Sequence, residues 1–522
     1  MNEILSDPSP SLLASAAAVA TVALYAINKT RERSARNSAL PPGPPAEWFW
    51  KKAIPAKDTH LALAEWTNQY GPVFTVRQGN NITIVVGRMQ AAIDIMERQG
   101  GVTLSRPEAV VGGTMLSQGR RLLMRPAGDV FKRMRNTVDR AVHEPLQPKV
   151  AKTYSPVQFE AGKNFVLNIL ERPDLFSHFA DLYATAVTLK ITYGKSAPST
   201  FDDPDVVRIH KITARFLGTL KPGIYLAERF PWLQHVPGYA PEIKQYREEE
   251  LALFQEQVNK TRVSMGEKSE RPSFVKYMLE NPEAHGLDGD TLAYLAGSLY
   301  GAGSETTAVG ITRIIMAAAL HPQAQEKMVT EIDTLIGDRD LNTTTAPTCD
   351  DMGHLPQLDA FVQEALRWRP IVPLGFNHKA TADFAWNGYH IPKGATILGN
   401  HWALSRDPDM FPDPEKFDTQ RWLDAQGKLR PQNEIRYFYY GFGRRPITNN
   451  PRVCPGQYVA NRSLFITTAL LFWAFRVSED PSAPIDPNAL DGGLIAHSLP
   501  FKVVFEPRRN VEEIKQAMRS AD

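Results

Sequence analysis

Cysteine is the scarcest chemistry in this chain: only Cys349 and Cys454 occur in 522 residues. Two thiols cannot build a disulfide framework, so the scaffold must be held by its core, and such usage suits a reducing compartment. An excess of one charge is missing as well. Lys and Arg number 59 against 57 Asp and Glu, a formal net charge of +2, so no general nucleic-acid signal is present. No internal repeat, low-complexity tract or Gly/Ser-rich linker marks a boundary after residue 46. Length alone would suggest about three domains, but with no boundary written into it the stretch 47–522 reads as one large domain. At 43% hydrophobic and 22% charged residues, it has the composition for a large core.

One uncharged apolar run stands near the N-terminus, from Ser11 to Ile27, followed by Lys29, Arg31, Arg33 and Arg36. At 1.5 Å per residue it reaches about 25 Å, short for an average bilayer core but feasible in a thin one such as the endoplasmic reticulum. The basic residues on its C-terminal side would keep the remaining chain in the cytosol. A cleaved signal peptide is the other reading of so many small residues. Pro41-Pro42-Gly43-Pro44-Pro45 argues for the anchor, because a stiff non-helical segment separates a membrane span from a globular body. The expected organisation is an anchor over 1–28, a basic and proline-rich hinge over 29–46, and a catalytic body over 47–522.

Periodicity and turn chemistry predict a mainly α protein with small β-sheets. A helix is expected from Leu61 to Tyr70, then strands from Val73 to Arg77 and Ile82 to Val86 joined by Gly79-Asn80-Asn81, then a helix from Met89 to Gln99. Residues 100–125 read as irregular. Helical patterns broken at Pro173, Pro222 and Pro231 fill 156–280, where Phe216, Tyr225 and Trp232 read as ordinary core. Long helices follow at Leu287 to Leu320 and Leu355 to Trp368, and Ile371 to His378 reads as a strand. Cys349 lies in the loop between the two helices as an incidental residue.

Four patterns carry chemistry. Cys454 is preceded by Arg452-Val453 and followed by Pro455-Gly456, ahead of the apolar run Val459 to Phe475. A cysteine so placed can be held as a thiolate at a helix N-terminus, where backbone N–H groups and the positive helix end favour an anion. Within the helix Leu287 to Leu320 sits Ala302-Gly303-Ser304-Glu305-Thr306-Thr307. Gly there costs about 1 kcal/mol relative to Ala, and the Thr306 hydroxyl can bond back to the Ala302 carbonyl, opening or bending the helix. Glu364 and Arg367 form an acid–Arg pair spaced i,i+3, and Phe417-Asp418-Thr419-Gln420-Arg421-Trp422 supplies a second arginine. Finally, Phe131 and Arg135 share a helix face at i,i+4, with an exposed basic helix as the plainer reading of Phe131 to Arg135.

In this order and spacing the patterns resemble the cytochromes P450 over roughly residues 40–505. The resemblance implies the P450 fold, a haem b between the Thr306 helix and the Cys454 loop, and Cys454 as axial ligand of the iron. It implies that Thr306 and Glu305 serve oxygen handling and proton delivery. Arg135, Phe131 and His378 would meet the haem propionates, and Glu364, Arg367 and Arg421 would form a buried structural triad. One departure stands out: 446–452 lie between Gly443-Arg444-Arg445 and Val453, where the family has no residues. Arg445 and Arg452 are therefore both candidates for the propionate-binding arginine beside Cys454 and Gly456. The expectation is that 446–451 loop out while Arg452-Val453-Cys454 keep their geometry.

Such a protein would oxidise a lipophilic small molecule with O2 and electrons from NADPH-cytochrome P450 reductase, docked on the basic face around Lys132 and Arg133. Val110, Val111, Ile371, Leu374 and Leu494 are the expected apolar contacts. The overall style resembles fungal enzymes of secondary metabolism at the endoplasmic reticulum membrane. Two alternatives stay open on the sequence: a P450-fold isomerase or dehydratase that needs no reductase, and a non-catalytic haem or ligand-binding protein if 446–452 impair haem ligation.

Overall fold

The computed structural model describes residues 40–519 apart from 47–53, 56, 80, 144–147, 196–199, 222, 266–271, 338–345, 433, 436 and 443–452, with backbone alone at 141–143 and 148–153. The apolar run 11–27 and its basic flank lie outside the described residues. Among the described residues, no helix is long and apolar enough to cross a membrane.

The architecture is mainly helical. Its longer helices and its strands are, in chain order, α1 Thr59–Tyr70, β1 Val73–Gln78, β2 Asn81–Val86, α2 Asp129–His143, α3 Pro148–Glu171, α4 Phe176–Tyr193, α5 Pro204–Thr219, α6 Pro241–Ser264, α7 Gly289–Leu320, α8 Pro322–Gly337, α9 Pro356–Trp368, β3 His378–Lys379, β4 Phe384–Trp386, β5 Tyr389–Ile391, β6 Thr396–Gly399, α10 Gln457–Ala474, β7 Phe475–Glu479, β8 Val503–Pro507 and α11 Val511–Arg519. The main sheet has the order β1-β2-β6-β3, with β2 parallel to β6 and the other pairs antiparallel. Two further antiparallel pairs, β4-β5 and β7-β8, complete the strands. Asn387 and Gly388 both take positive φ between β4 and β5, the backbone that a tight antiparallel turn requires. Residues before β1 also dock on the sheet, since the Thr75 N–H donates to the Pro42 carbonyl at 2.8 Å.

Helix α7 is the axis of the molecule. Asp288 caps it by accepting from the Thr291 N–H at 2.8 Å, satisfying one of the orphan donors of a helix start. Its 32 residues span about 48 Å at 1.5 Å per residue, and Pro322 begins the next helix one residue after the cap His321. It is apolar on nearly every side, as a helix buried on all faces must be, and it packs against α4, α5, α6, α9 and α10. Gly297 permits the approach of α6: a Cβ there would stand 2.2 Å from the Phe254 ring.

Several local expectations are corrected. The helix starting at Met89 changes to π-type winding over Ile93–Arg98, where the Thr103 hydroxyl bonds the Ile95 carbonyl at 3.0 Å. Val110–Leu116, expected to be irregular, is a π-helical turn, its first N–H groups held by the Glu228 carboxylate at 3.1 and 2.7 Å. No strand runs through 371–377: Gly375 has φ +60, and pairing with β6 begins only at His378. Phe216 is core, but Trp232 is 62% exposed.

Candidate active site

Cys454 donates its N–H to the Tyr440 carbonyl at 2.9 Å, which joins the described residues on the two sides of 443–452. Gly456 is the cap residue of α10. Burial pushes the Cys454 thiol up, while the N–H of Gly456, the Arg135 charge and the N–H of Gln457 pull it down; coordination to a metal deprotonates a thiol outright. The side chain is nevertheless exposed, so its sulfur is accessible to a ligand. Arg135, on α2, donates to the Val453 carbonyl at 3.1 Å and grips Asp139 at 2.9 and 3.0 Å. Phe131 is buried on the same face, while Lys132 and Arg133 point outward. Arg445 and Arg452, with the whole of 446–452, lie outside the described residues.

On α7 the Thr306 hydroxyl donates to the Ala302 carbonyl at 2.9 Å, yet the helix continues without a break from Gly289 to Leu320. Ala302 is exposed in mid-helix and Gly303, Glu305, Thr306 and Thr307 are half-buried, so packing leaves this face open. A Cβ on Gly303 would stand 2.8 Å from the Thr188 hydroxyl on α4, which holds the two helices close. Glu305 is not solvent-facing. His497 Nε2 lies 2.7 Å from one carboxylate oxygen and His210 Nδ1 3.6 Å from the other.

Glu364 and Arg367 are wholly buried on α9 and meet in a two-pronged contact at 2.8 and 2.7 Å. Arg421 joins the same carboxylate at 3.3 Å. The Trp422 indole and the Asp418 N–H also donate to it, at 2.9 and 2.8 Å. These five donations satisfy an anion that would otherwise be very costly to bury.

His378 is buried, and its Nδ1 lies 2.9 Å from the Thr103 carbonyl. Beside it stands a residue that sequence reasoning missed. Arg106 is buried and donates to the carbonyls of Phe376 and Asn377 at 2.8 and 2.6 Å. Its Nε has no partner, no carboxylate among the described residues pairs with it, and burial pulls its pKa down to about 10. A buried cation without an anion calls for an acidic group from outside the chain. A thiol at a helix N-terminus, a guanidinium on the adjoining segment and an orphaned buried cation together fit a planar metal cofactor with carboxylate arms.

The sequence profile of the cytochrome P450 family matches residues 41–505. The chain belongs to that family. Cytochrome P450 monooxygenase 64 of Postia placenta is 44% identical over 94% of this chain and 96% of its own length, and a cytochrome P450 monooxygenase of Armillaria gallica is 31% identical over 90% of each. A zebrafish cytochrome P450 solved with progesterone superimposes with a TM-score of 0.71 at 22% identity, covering 86% of this chain and 99% of that one; this likeness speaks to the fold. Membership of the family makes the chain a P450 monooxygenase, an oxidoreductase with a cysteine-ligated haem, a redox partner that supplies electrons and a lipophilic substrate.

Of the expected apolar contacts, Val110 and Val111 are buried in a cluster with Phe216 and Ile243, so their side chains are used in packing. Ile371, Leu374 and Leu494 keep part of their surface open. A groove of about 700 Å3 along α6, lined by Ala252, Gln255, Glu256, Asn259, Lys260, Val263 and Ser264, includes none of the candidate site residues. Besides Arg106, reading the sequence missed His210 and His497. Arg106 offered a faint signal as a charge inside an apolar and glycine-rich stretch; the histidines offered none, being isolated in sequence from Glu305.

Proposed function

We propose that Cys454 ligates the haem iron of a reductase-dependent monooxygenase that oxidises a lipophilic small molecule, in which Glu305 and Thr306 handle protons. The observation that carries this reading is the 2.9 Å bond from the Cys454 N–H to the Tyr440 carbonyl. It supports a haem loop whose cysteine keeps its place although the sequence inserts 446–452. When bound, the haem supplies oxygen activation, and a thiolate ligand pushes electron density that favours O–O cleavage. Arg106, with its unpartnered Nε, and Arg135, against Val453, would hold its carboxylate arms together with His378 and one of Arg445 and Arg452, with Phe131 buried on the same helix face as Arg135. Thr306 keeps its hydroxyl on the Ala302 carbonyl, and Glu305 exchanges protons one residue away. Glu364, Arg367 and Arg421 lock the segment that precedes the cysteine loop.

Electrons come from NADPH-cytochrome P450 reductase on the basic face formed by Lys132 and Arg133. The run 11–27 anchors the protein in the endoplasmic reticulum membrane, with the body in the cytosol. The fungal source of the similar monooxygenases supports a role in secondary metabolism. The test is the carbon monoxide difference spectrum of the reduced protein: a thiolate-type Soret band is expected, lost in Cys454→Ala. Its absence from the wild type would refute the assignment. With the band in place, substrate-induced spectral shifts across lipophilic compounds identify the substrate class, and dependence of turnover on NADPH and reductase separates oxidation from rearrangement.

A further inference from the structure

Glu305 sits in a chain of polar groups drawn from four separate segments. His497, on the loop after Leu490, places Nε2 2.7 Å from one Glu305 oxygen. On the other side His210 of α5 presents Nδ1 to the second oxygen at 3.6 Å, longer than a direct hydrogen bond, while its Nε2 lies 3.3 Å from the Thr185 hydroxyl of α4. The carboxylate is 13% exposed, His210 29% and His497 38%. Both imidazoles are therefore more accessible than the carboxylate between them.

The loop that delivers His497 is held rigidly. Arg313, wholly buried on α7 two turns beyond Glu305, donates to the Ala496 carbonyl at 2.6 Å and to the Ser498 hydroxyl. The Ala496 N–H donates to the Ile371 carbonyl at 2.9 Å, and the His497 N–H to the Asp491 carboxylate at 3.1 Å. Helix α7 thus carries the acid and, through Arg313, also anchors the loop that brings the histidine to it.

We propose that His497, with His210 opposite, is the path by which solvent protons reach Glu305, and that the pair positions this carboxylate for proton delivery; the inference rests on the monooxygenase reading above. The step is a simple transfer. The Nε2–H bond of the His497 imidazolium breaks as a proton passes to Glu305 Oε1, and the neutral imidazole regains a proton from bulk water. Glu305 then passes its proton on and returns to the carboxylate.

The charged groups around the site set the pH response. Burial works to raise the Glu305 pKa, but His210 and His497 outweigh it and bring it down to about 2. Glu305 raises His497 against burial. Burial lowers His210, but Glu305 and Asp181 outweigh it, so its pKa also rises. Asp181 of α4 is itself pushed up, chiefly by burial; His178 on the same helix and Asp491 on the final loop complete the set. The shifts favour an ionised carboxylate beside protonated imidazoles. As pH rises through their elevated pKa values the donors empty.

The experiment compares wild type, His497→Gln and His497→Ala holoenzymes. Gln keeps a donor for Glu305 but cannot relay a proton. The first readout is product formed and hydrogen peroxide released per NADPH across about pH 6 to 9, using as probe the compound with the largest shift in the spectral screen above. Wild-type coupling should fall as pH rises. In His497→Gln, product per NADPH should drop on the order of tenfold, less than the ~10²-fold that a sole general acid contributes because His210 remains, and its pH dependence should flatten. The second readout needs no turnover. A histidine whose folded pKa is raised stabilises fully below its unfolded value of about 6.5 and loses that contribution as pH rises through the folded one. The Tm gap between wild type and His497→Ala should therefore be widest near the acid end of the range and shrink towards the basic end. A His497→Gln variant with wild-type coupling and pH profile would overturn the proposal and leave a structural clamp; so would a Tm gap that does not change with pH. Loss of the thiolate Soret band from the wild type would instead sink the monooxygenase reading, and the Tm readout would still report the Glu305–His497 pair.

Discussion

Removing Glu364 should do more damage than removing either arginine it binds. The carboxylate accepts two bonds from Arg367, one from Arg421, one from the Trp422 indole and one from the Asp418 N–H. Truncation to Ala strands the Arg367 guanidinium, which has no exposure to solvent. Arg367 keeps its bonds to the Ser405 and Pro414 carbonyls, both at 2.8 Å, but these dipoles do not cancel its charge. Breaking a buried ion pair by removing one partner costs about 3–5 kcal/mol, and the unpaired indole adds about 1–3 kcal/mol. That sum is comparable with the whole stability of many domains, about 5–15 kcal/mol, so Glu364→Ala should yield little haem-loaded protein. Arg421→Ala should be the mildest of the three, because Glu364 retains Arg367, Trp422 and Asp418 and the lost side chain is partly exposed. Glu364→Gln separates charge from volume: it leaves no cavity yet turns an NH2 towards donors. The assay is haem content per protein together with the thermal midpoint for all three variants. A Glu364→Gln protein with wild-type haem content and midpoint would refute the argument that this anion holds the fold.

Arg106→Leu should accelerate haem loss. A hydrogen bond to a charged group is worth about 1.5–3 kcal/mol, so transfer of haem to an excess of apomyoglobin should run about ten- to a hundredfold faster; an unchanged rate would remove Arg106 from the site. Gly297→Ala should lower the thermal midpoint by an overpacking cost of about 1–3 kcal/mol, since the new methyl group would press on the Phe254 ring, and a compensating Phe254→Leu should recover part of it. Deleting 446–452 joins Gly443-Arg444-Arg445 directly to Val453-Cys454 and should preserve the thiolate-type Soret band while altering the rate of reduction by the reductase. Loss of the band in the deletion would mean that Arg452 or its neighbours are needed for ligation.

Much of the scaffold was legible because its signals are local. The helix expected from Leu287 to Leu320, the hairpin turn at Gly79-Asn80-Asn81 and the alternation in β1 and β2 depend on residues a few positions apart. The change of winding after Ala92 was not legible, since it is accompanied by a hydroxyl from Thr103 on the following turn. Nor was the end of the expected strand at 371–377, where a left-handed Gly375 lies close to His401. Trp232 shows the limit of composition: a large aromatic is usually core, but nothing in its neighbours states which side of the turn Pro231–His235 faces solvent.

By itself the sequence determined the family, the cysteine available for a haem iron and the hydroxyl-to-carbonyl bond within α7, because each rests on residue identity at short range. Tertiary structure alone decided what surrounds them. It brought Tyr440 to Cys454 across 443–452, set Arg106 against the carbonyls before His378, and placed histidines from two distant segments on either side of Glu305. Long-range pairing of this kind has no sequence period. Which polar groups meet is decided by how helices pack, and the cost of burying a charge then requires that the partners be found.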